Sequence, residues 1–386
     1  MKPADELIDY QMAAVFQAGA IPRSGSPSPL ADRIEGMAVV TSISAAAEDR
    51  CWDEFLQSMP RGQFQQSSLW ARCKAVEGWM PLRCVFSVDQ QITGGFQLLW
   101  RRSRFGRIGY ISKGPVLQSE TDAMSQFALE RIRSVAMEQK LAALIVQPPD
   151  EHQINAALFP RHHFQPNRLH KMIEATLLVD VRGGIDRVQD RMRRITRKHI
   201  RQSRKRGVVV REGGPEIIGS FFQMMVATCA RQKEKPNPPD EQALGEVWRQ
   251  FRPLGARITI AQCHGEDVAG QMTLPFGDRV TLWKKGWSGR HPELRPNKLI
   301  TYESLEWASQ RKYQTCDFAA LDRGLAVTLL EGRRLTEAQL HHSDSFKLGF
   351  GGEPRLLPAA HIWIANPIFR AAYKLRLALA HRKADA

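Results

Sequence analysis

The stretch Ser345-Phe346-Lys347-Leu348-Gly349-Phe350-Gly351-Gly352 sets a lone lysine between two aromatics and follows it with a glycine-rich turn. The glycines permit positive φ and close backbone approach. Phe346 and Phe350 supply apolar walls, and Lys347 presents one positive charge in a partly dry setting. A cation so placed stabilises an oxyanion. The same residues also fit a surface lysine beside a β-turn that finishes an apolar strand.

The preceding His341-His342-Ser343-Asp344 offers hydrolase-type residues, but consecutive strand residues alternate faces and cannot form a Ser/His/Asp triad among themselves. They read as a polar loop, with His342 as a candidate proton relay. Cys51, Cys73, Cys84, Cys229, Cys263 and Cys316 show no Cys-x-x-Cys or zinc spacing. Reduced thiols in a cytoplasmic protein, and no metal, are expected.

Such a site needs a scaffold, and the order of elements in this chain occurs twice. Helical segments Trp52–Met59 and Gln66–Glu77 lead to strand Leu82–Val88, the turn Asp89-Gln90-Gln91, a second strand over 92–99 and strand Ile108–Ser112. A Gly114-Pro115 break, helix Thr121–Gln139 and strand Ala142–Gln147 follow. The second copy has helices Ile217–Arg231 and Asp240–Phe251, strand Arg257–Cys263, the turn His264-Gly265-Glu266-Asp267 and strands over 268–274 and 279–285. It ends with the break Arg295-Pro296-Asn297, helix Lys298–Arg311 and strand Thr315–Ala319. Alternation and turn chemistry support the hairpins, and Leu299, Tyr302 and Leu305 recur at helical spacing.

This order resembles that of a GNAT-type acyltransferase. The expected fold class is α/β (α+β): two tandem GNAT-like domains with mixed, largely antiparallel sheets flanked by helices. Residues 1–37, with the Ser/Pro/Gly-rich run over 21–35, read as a flexible extension. Domain 1 is expected over 38–172, completed by the C-terminal helix within 353–386, and domain 2 over 173–352.

Six further pieces carry a family resemblance: Gln66-Ser67-Ser68-Leu69-Trp70 with Lys74, Tyr110-Ile111-Ser112-Lys113-Gly114-Pro115-Val116, Arg197-x-x-Ile200-Arg201, Pro296-Asn297-Lys298, Cys316-Asp317-Phe318, and Phe346-Lys347 with Gly351-Gly352. In this order the chain resembles the FemABX peptidoglycan-bridge aminoacyltransferases from about Gln63 onward. The resemblance implies transfer of an amino acid from aminoacyl-tRNA onto an amine of a cell-wall or lipid-linked glycan precursor, in a site between the domains and with no bound cofactor. It implies Lys347 as the catalytic oxyanion stabiliser beside Phe346, with Asp317 and Asp322 as carboxylates that act as base or as structural cap. For the nucleotide- or lipid-linked acceptor it implies Lys74 and Arg231 as phosphate contacts, and Trp283 or Trp287 as a stacking surface flanked by Lys284 and Lys285. Gln118 stands where an acid commonly follows the Gly-Pro-Val turn, and Lys113 where an arginine is usual. Those departures point to an acceptor other than the standard muropeptide.

Charge supports an anionic partner. The 386 residues carry 55 Lys+Arg against 40 Asp+Glu, a formal +15. Ten basic residues, counting His199, fall in the sixteen from Arg191 to Arg206. Read as a helix, this segment is positive almost all round and self-repelling without an anion nearby. Arg194, Arg197, Lys198, Arg201, Arg204 and Lys205 are therefore candidate tRNA contacts, with lipid headgroups as the alternative. The segment His361–Lys383 reads as a basic amphipathic helix, suited to completing the first domain or to lying on the inner face of a membrane. The sequence offers no basic and apolar leader and no spanning run, so a cytoplasmic chain, peripheral at most, is expected. An acyl-CoA-dependent N-acyltransferase in exopolysaccharide assembly is the second reading. Its Arg/Gln-x-x-Gly-x-Gly/Ala loop is not matched by Arg104-Phe105-Gly106-Arg107-Ile108-Gly109.

Overall fold

The computed structural model describes residues 31–60, 63–104, 106–168 and 172–384. Most of the expected N-terminal extension lies outside the described residues. Its last part is structured: Ala31–Ile34 pairs antiparallel with Met37–Ser44 across a Glu35-Gly36 turn in which both residues have positive φ. The fold therefore starts before Ala38.

The chain divides into two compact units, one built from residues up to 172 and from 358 onward, the other from 173–357. Each is a mixed α/β unit around its own sheet. In the first, Met80–Val88, Gln91–Ser103 and Gly106–Ser112 form an antiparallel meander. Helix Asp122–Glu138 then crosses to Leu141–Gln147, which pairs parallel with Gly106–Ser112. In the second, Arg257–Cys263, Glu266–Phe276 and Arg279–Trp287 form the meander. Helix Pro296–Gln310 crosses to Thr315–Asp317, parallel to Arg279–Trp287.

The internal repeat extends to the turn chemistry. Asp89-Gln90 and His264-Gly265 close equivalent hairpins as two-residue loops with positive φ throughout, at 48° and 66° and at 51° and 81°. That sign pattern matches the right-handed twist of the strands it joins.

The family-like Gln66-Ser67-Ser68 run is a fastening device of the first unit. Buried Gln66 donates to Ser112 O at 2.7 Å and accepts from Gln97 N at 2.7 Å. Ser67 caps helix Ser68–Ala75 by accepting from Trp70 N, and Ser68 donates through its amide and hydroxyl to Asp53. A buried amide with its partners supplied specifies the packing of the strands it joins.

Two boundaries differ from the sequence reading. Glu353–Leu356 pairs antiparallel with Ala175–Asp180, so 353–357 belong to the second unit. The first unit is completed by a strand, His361–Ile364, inserted between Leu141–Gln147 and Phe164–Pro166. Helix Pro367–Ala384 follows and is tied down through buried Tyr373, whose hydroxyl donates to Pro166 O at 2.9 Å and accepts from Arg168 N at 2.8 Å. Among the described residues no helix is long and apolar enough to cross a membrane.

Candidate active site

Lys347 lies on a one-turn helix, Ser345–Leu348, and not at the end of a strand. The glycines after it are there for backbone proximity. Gly351 has φ +73°, and a Cβ on it would lie 2.4 Å from Arg191 O; a Cβ on Gly349 would lie 2.3 Å from Thr196 Oγ1. Arg193 N donates to Gly349 O at 3.0 Å. The glycine-rich segment is thus pressed against the start of helix Arg194–Lys205.

Phe346 gathers two lysines from other elements. Lys285 Nζ stands 4.4 Å from its ring centroid and Lys298 Nζ 5.6 Å. Phe350 meets the same ring edge-on at 5.4 Å and packs against Phe318 at 5.6 Å. Lys285, on strand Arg279–Trp287, donates to Thr301 Oγ1 at 2.5 Å. Lys298, in the first turn of helix Pro296–Gln310, donates to Thr196 Oγ1 at 3.4 Å. Lys347 Nζ pairs with Asp344 Oδ1 at 2.8 Å and donates to Ala320 O at 2.5 Å.

The electrostatics of this cluster are lopsided. Burial, and secondarily the charge of Lys347, push the Lys285 amine well below the ordinary lysine range. Burial, then Arg295 and Arg193, lower Lys298 as well. Asp344 is the carboxylate that contacts the cluster, through Lys347. Cations crowded against aromatic faces with so little compensation favour the arrival of an anion, a resident phosphate or carboxylate or one developed in a reaction. Lys298 also sits where the helix dipole disfavours positive charge.

The remaining candidates fall into different settings. Asp317 is a fastener: Oδ1 accepts from Thr176 Oγ1 and from Ala319 N at 2.8 Å, and Oδ2 lies 3.6 Å from Arg279. A carboxylate so engaged has little acceptor capacity left for a base's role. Asp322 caps helix Arg323–Leu330 by accepting from Leu325 N, and its own amide donates to Asp344 Oδ2 at 2.7 Å. His342 Nδ1 accepts from Asp344 N at 3.2 Å within the expected polar loop.

Lys284 and Lys285 face opposite sides of their strand. Lys285 is register partner of Gln271, and both bond into helix Pro296–Gln310. Lys284 lies over the Trp283 ring at 5.1 Å and acts electrostatically on Cys229 of helix Ile218–Gln232. One ligand surface cannot use both. Trp283 is the extra residue of a bulge, between the register pairs Thr273–Leu282 and Met272–Lys284. The Arg231 guanidinium covers the Trp287 ring at 4.8 Å and donates to Trp287 O at 2.5 Å.

In the first unit Lys74 is buried and held by both carboxylate oxygens of Glu77 at 2.7 Å, its charge matched locally. Lys113 is likewise matched by buried Asp150 at 2.5 Å.

The basic segment is less uniform than its composition suggested. Helix Arg194–Lys205 buries Thr196, Ile200 and Ser203, packed in part on helix Pro296–Gln310. Arg204 is drawn to Glu303, Glu306 and the Tyr302 ring, and Arg197 to Gln189 O. Arg194, Lys198, Arg201 and Lys205 remain exposed and without a carboxylate partner among the described residues.

The chain is similar to known proteins in sequence and in fold. Residues 48–167 match the FemAB family model and residues 190–324 the model of an acetyltransferase (GNAT) domain. The crystal structure of FemX superposes with a TM-score of 0.70 at 16% identity, covering 86% of this chain and 99% of FemX. The chain is built of two GNAT-type units, and its first part is similar to the FemAB family. A tandem GNAT protein from the clavulanic acid biosynthesis pathway shares this architecture more loosely, with a TM-score of 0.53 at 10% identity over 85% of this chain and 99% of that one. In sequence the chain is similar to the Lipid II:glycine glycyltransferases of Staphylococcus haemolyticus, 26% identical over 191 residues, and of Staphylococcus aureus strain MRSA252, 25% identical over 191 residues. Those matches cover 46% of this chain and 46% and 45% of the relatives, so the chain spans about half the length of the curated relatives it matches.

Sequence reasoning missed Lys298, Thr196 and Asp344 as parts of the cluster. A signal for Lys298 was present: Pro296 marks the first turn of a helix, where a lysine breaks the local charge rule. Residues that break such rules concentrate at functional sites.

Proposed function

We propose that this chain is an amide-forming acyltransferase that moves an aminoacyl group from aminoacyl-tRNA to an amine of a lipid- or nucleotide-linked cell-wall precursor. The observation that carries the reading is the convergence of Lys285 and Lys298 on the Phe346 ring, with Lys347, the next residue along the chain, close enough to act on the charge of Lys285. Attack of an amine on an ester carbonyl builds a negative oxygen, and a preorganised cation in a dry site lowers that barrier. Lys347, fixed by Asp344 and Ala320 O, is assigned that role.

The donor reading rests on the exposed stripe. Arg194, Lys198, Arg201 and Lys205 are spaced four, three and four residues apart, on one helix face over about 16 Å. Like charges at this spacing are unfavourable alone and are stabilised by a polyanion such as the tRNA backbone. The acceptor reading rests on the relatives, which are named as acting on Lipid II. Arg231 over Trp287 is the matching cation and aromatic pair for a phosphorylated, sugar-bearing acceptor.

A lipid-linked acceptor also asks for a membrane-facing element. Helix Pro367–Ala384 contains no acidic residue and exposes Ile368 and Leu375 at 75% and 63%. We assign it to the inner surface of a membrane.

Labelled aminoacyl-tRNAs incubated with the protein and a membrane extract of its host test the reading, with labelled acetyl-CoA in a parallel reaction. RNase-sensitive incorporation into a lipid-linked product is expected. Incorporation from acetyl-CoA alone would replace the donor, and none from either would overturn the acyltransferase reading.

A further inference from the structure

We infer that Lys285 is the proton acceptor of the transfer step, distinct from the charge-stabilising Lys347; the inference rests on the acyltransferase reading. The geometry is unusual for a lysine. Its amine sits between the Phe346 and Phe318 rings, at 4.4 and 6.0 Å, with Thr301 Oγ1 as its hydrogen-bond partner. A charged ammonium has three N–H bonds to satisfy; a neutral amine needs fewer partners and keeps a lone pair free.

Every charged group that faces this amine disfavours its protonation. Lys347 approaches from the one-turn helix, and Lys298 shares the Phe346 ring from the crossover helix. Gln271 and Ser304, the other polar groups behind Thr301, are uncharged. Asp344 spends its negative charge on Lys347. Desolvation acts in the same direction. A neutral lysine beside a cationic one gives the two halves of acyl transfer, a base and an oxyanion stabiliser, from like residues in unlike environments.

The step balances as follows. The acceptor amine attacks the donor's ester carbonyl, forming the C–N bond as the π pair moves to oxygen. Lys285 Nζ takes the proton that the new C–N nitrogen must lose. Collapse re-forms the carbonyl, breaks the C–O bond to the donor ribose, and returns that proton from Lys285 to the departing hydroxyl. No oxidant or further reactant enters.

A base must be unprotonated, so the rate should climb as pH rises through the lowered Lys285 value and level off above it, within the range where an ordinary lysine is still charged. Lys285→Met is expected to lower kcat by about a hundredfold or more, with a smaller change in acceptor KM, and to erase that limb of the pH profile. Added methylamine should partly restore its rate. Lys285→Arg, which places a permanent cation there and cannot act as a base, should be as impaired as Lys285→Met; a Lys285→Arg enzyme of near wild-type rate would overturn the proton-acceptor role in favour of a charge role.

Independently of turnover, NMR titration of the isotopically labelled lysines in the wild-type protein, with Lys285 assigned by its absence in Lys285→Met, should place this amine far below the rest. An ordinary lysine titration would overturn the inference even if the variants are poorly folded. Wild-type protein that moves no label from any aminoacyl-tRNA would sink the parent reading, and the base role with it. Active wild type with unimpaired Lys285→Met sinks only the base role.

Discussion

Asp344 holds Lys347 at 2.8 Å with one carboxylate oxygen while the other accepts the backbone amide of Asp322, the cap of the neighbouring helix, at 2.7 Å. One side chain thus couples the position of the proposed oxyanion stabiliser to a helix start. Lys347→Ala should cost about a hundredfold or more in kcat, the scale of a lost oxyanion donor. Asp344→Asn can keep the bond to Asp322 and loses only the charge that steadies the ammonium, so about a tenfold fall in kcat with little change in Tm is expected. Steady-state kinetics beside thermal melts decide it: a Tm collapse in Asp344→Asn would make this residue a folding element first.

Gly351→Ala should destabilise the second unit by about 2–4 kcal/mol, the range of large single-site effects. Its φ of +73° disfavours any side chain, and the new methyl would meet Arg191 O at 2.4 Å, a backbone atom that cannot step aside cheaply. Urea titration followed by tryptophan fluorescence measures the loss. An unchanged midpoint would show that the segment shifts freely from helix Arg194–Lys205.

The scaffold was legible because it is built from local signals. Asp89-Gln90 and His264-Gly265 announce their hairpins, and the apolar spacing of Leu299, Tyr302 and Leu305 announces the crossover helix. The Phe346-Lys347 pair was legible as a motif, but its helical turn was not, since four residues are too few to carry a period. The part that Lys285 and Lys298 take in the cluster was opaque for a different reason: what distinguishes them is the aromatic ring they share, on a segment about fifty to sixty residues on, a long-range relationship that no local window contains. Lys74 shows the converse. The resemblance implied a phosphate contact, and the structure pairs this lysine with Glu77, three residues on.

Asp317→Asn should act on stability and not on chemistry. The carboxylate ties Thr176, Ala319 N and Arg279 to the parallel strand pair, and weakening a mostly buried charged hydrogen-bond set costs about 1.5–3 kcal/mol. Transfer by the folded fraction should stay within about threefold of wild type. A loss approaching a general base's contribution, about a hundredfold, at unchanged stability would return Asp317 to the catalytic list.

The two exposed basic elements make separable claims. Replacing Arg194, Lys198, Arg201 and Lys205 together by alanine should weaken tRNA binding and flatten its salt dependence by up to about four in slope, roughly one for each phosphate left unneutralised. The same replacement should leave binding to anionic vesicles largely intact, because that claim rests on the other element. Ile368→Glu with Leu375→Glu puts two carboxylates on the apolar side of helix Pro367–Ala384 while leaving Tyr373, its anchor to the sheet, in place. Each carboxylate adds repulsion from anionic lipid and removes apolar area from the interface. Co-sedimentation with phosphatidylglycerol vesicles should fall by an order of magnitude or more, with tRNA affinity unchanged. If instead the stripe variant loses vesicle binding and the helix variant keeps it, the membrane contact belongs to helix Arg194–Lys205, and the assignment of the terminal helix to the lipid surface fails.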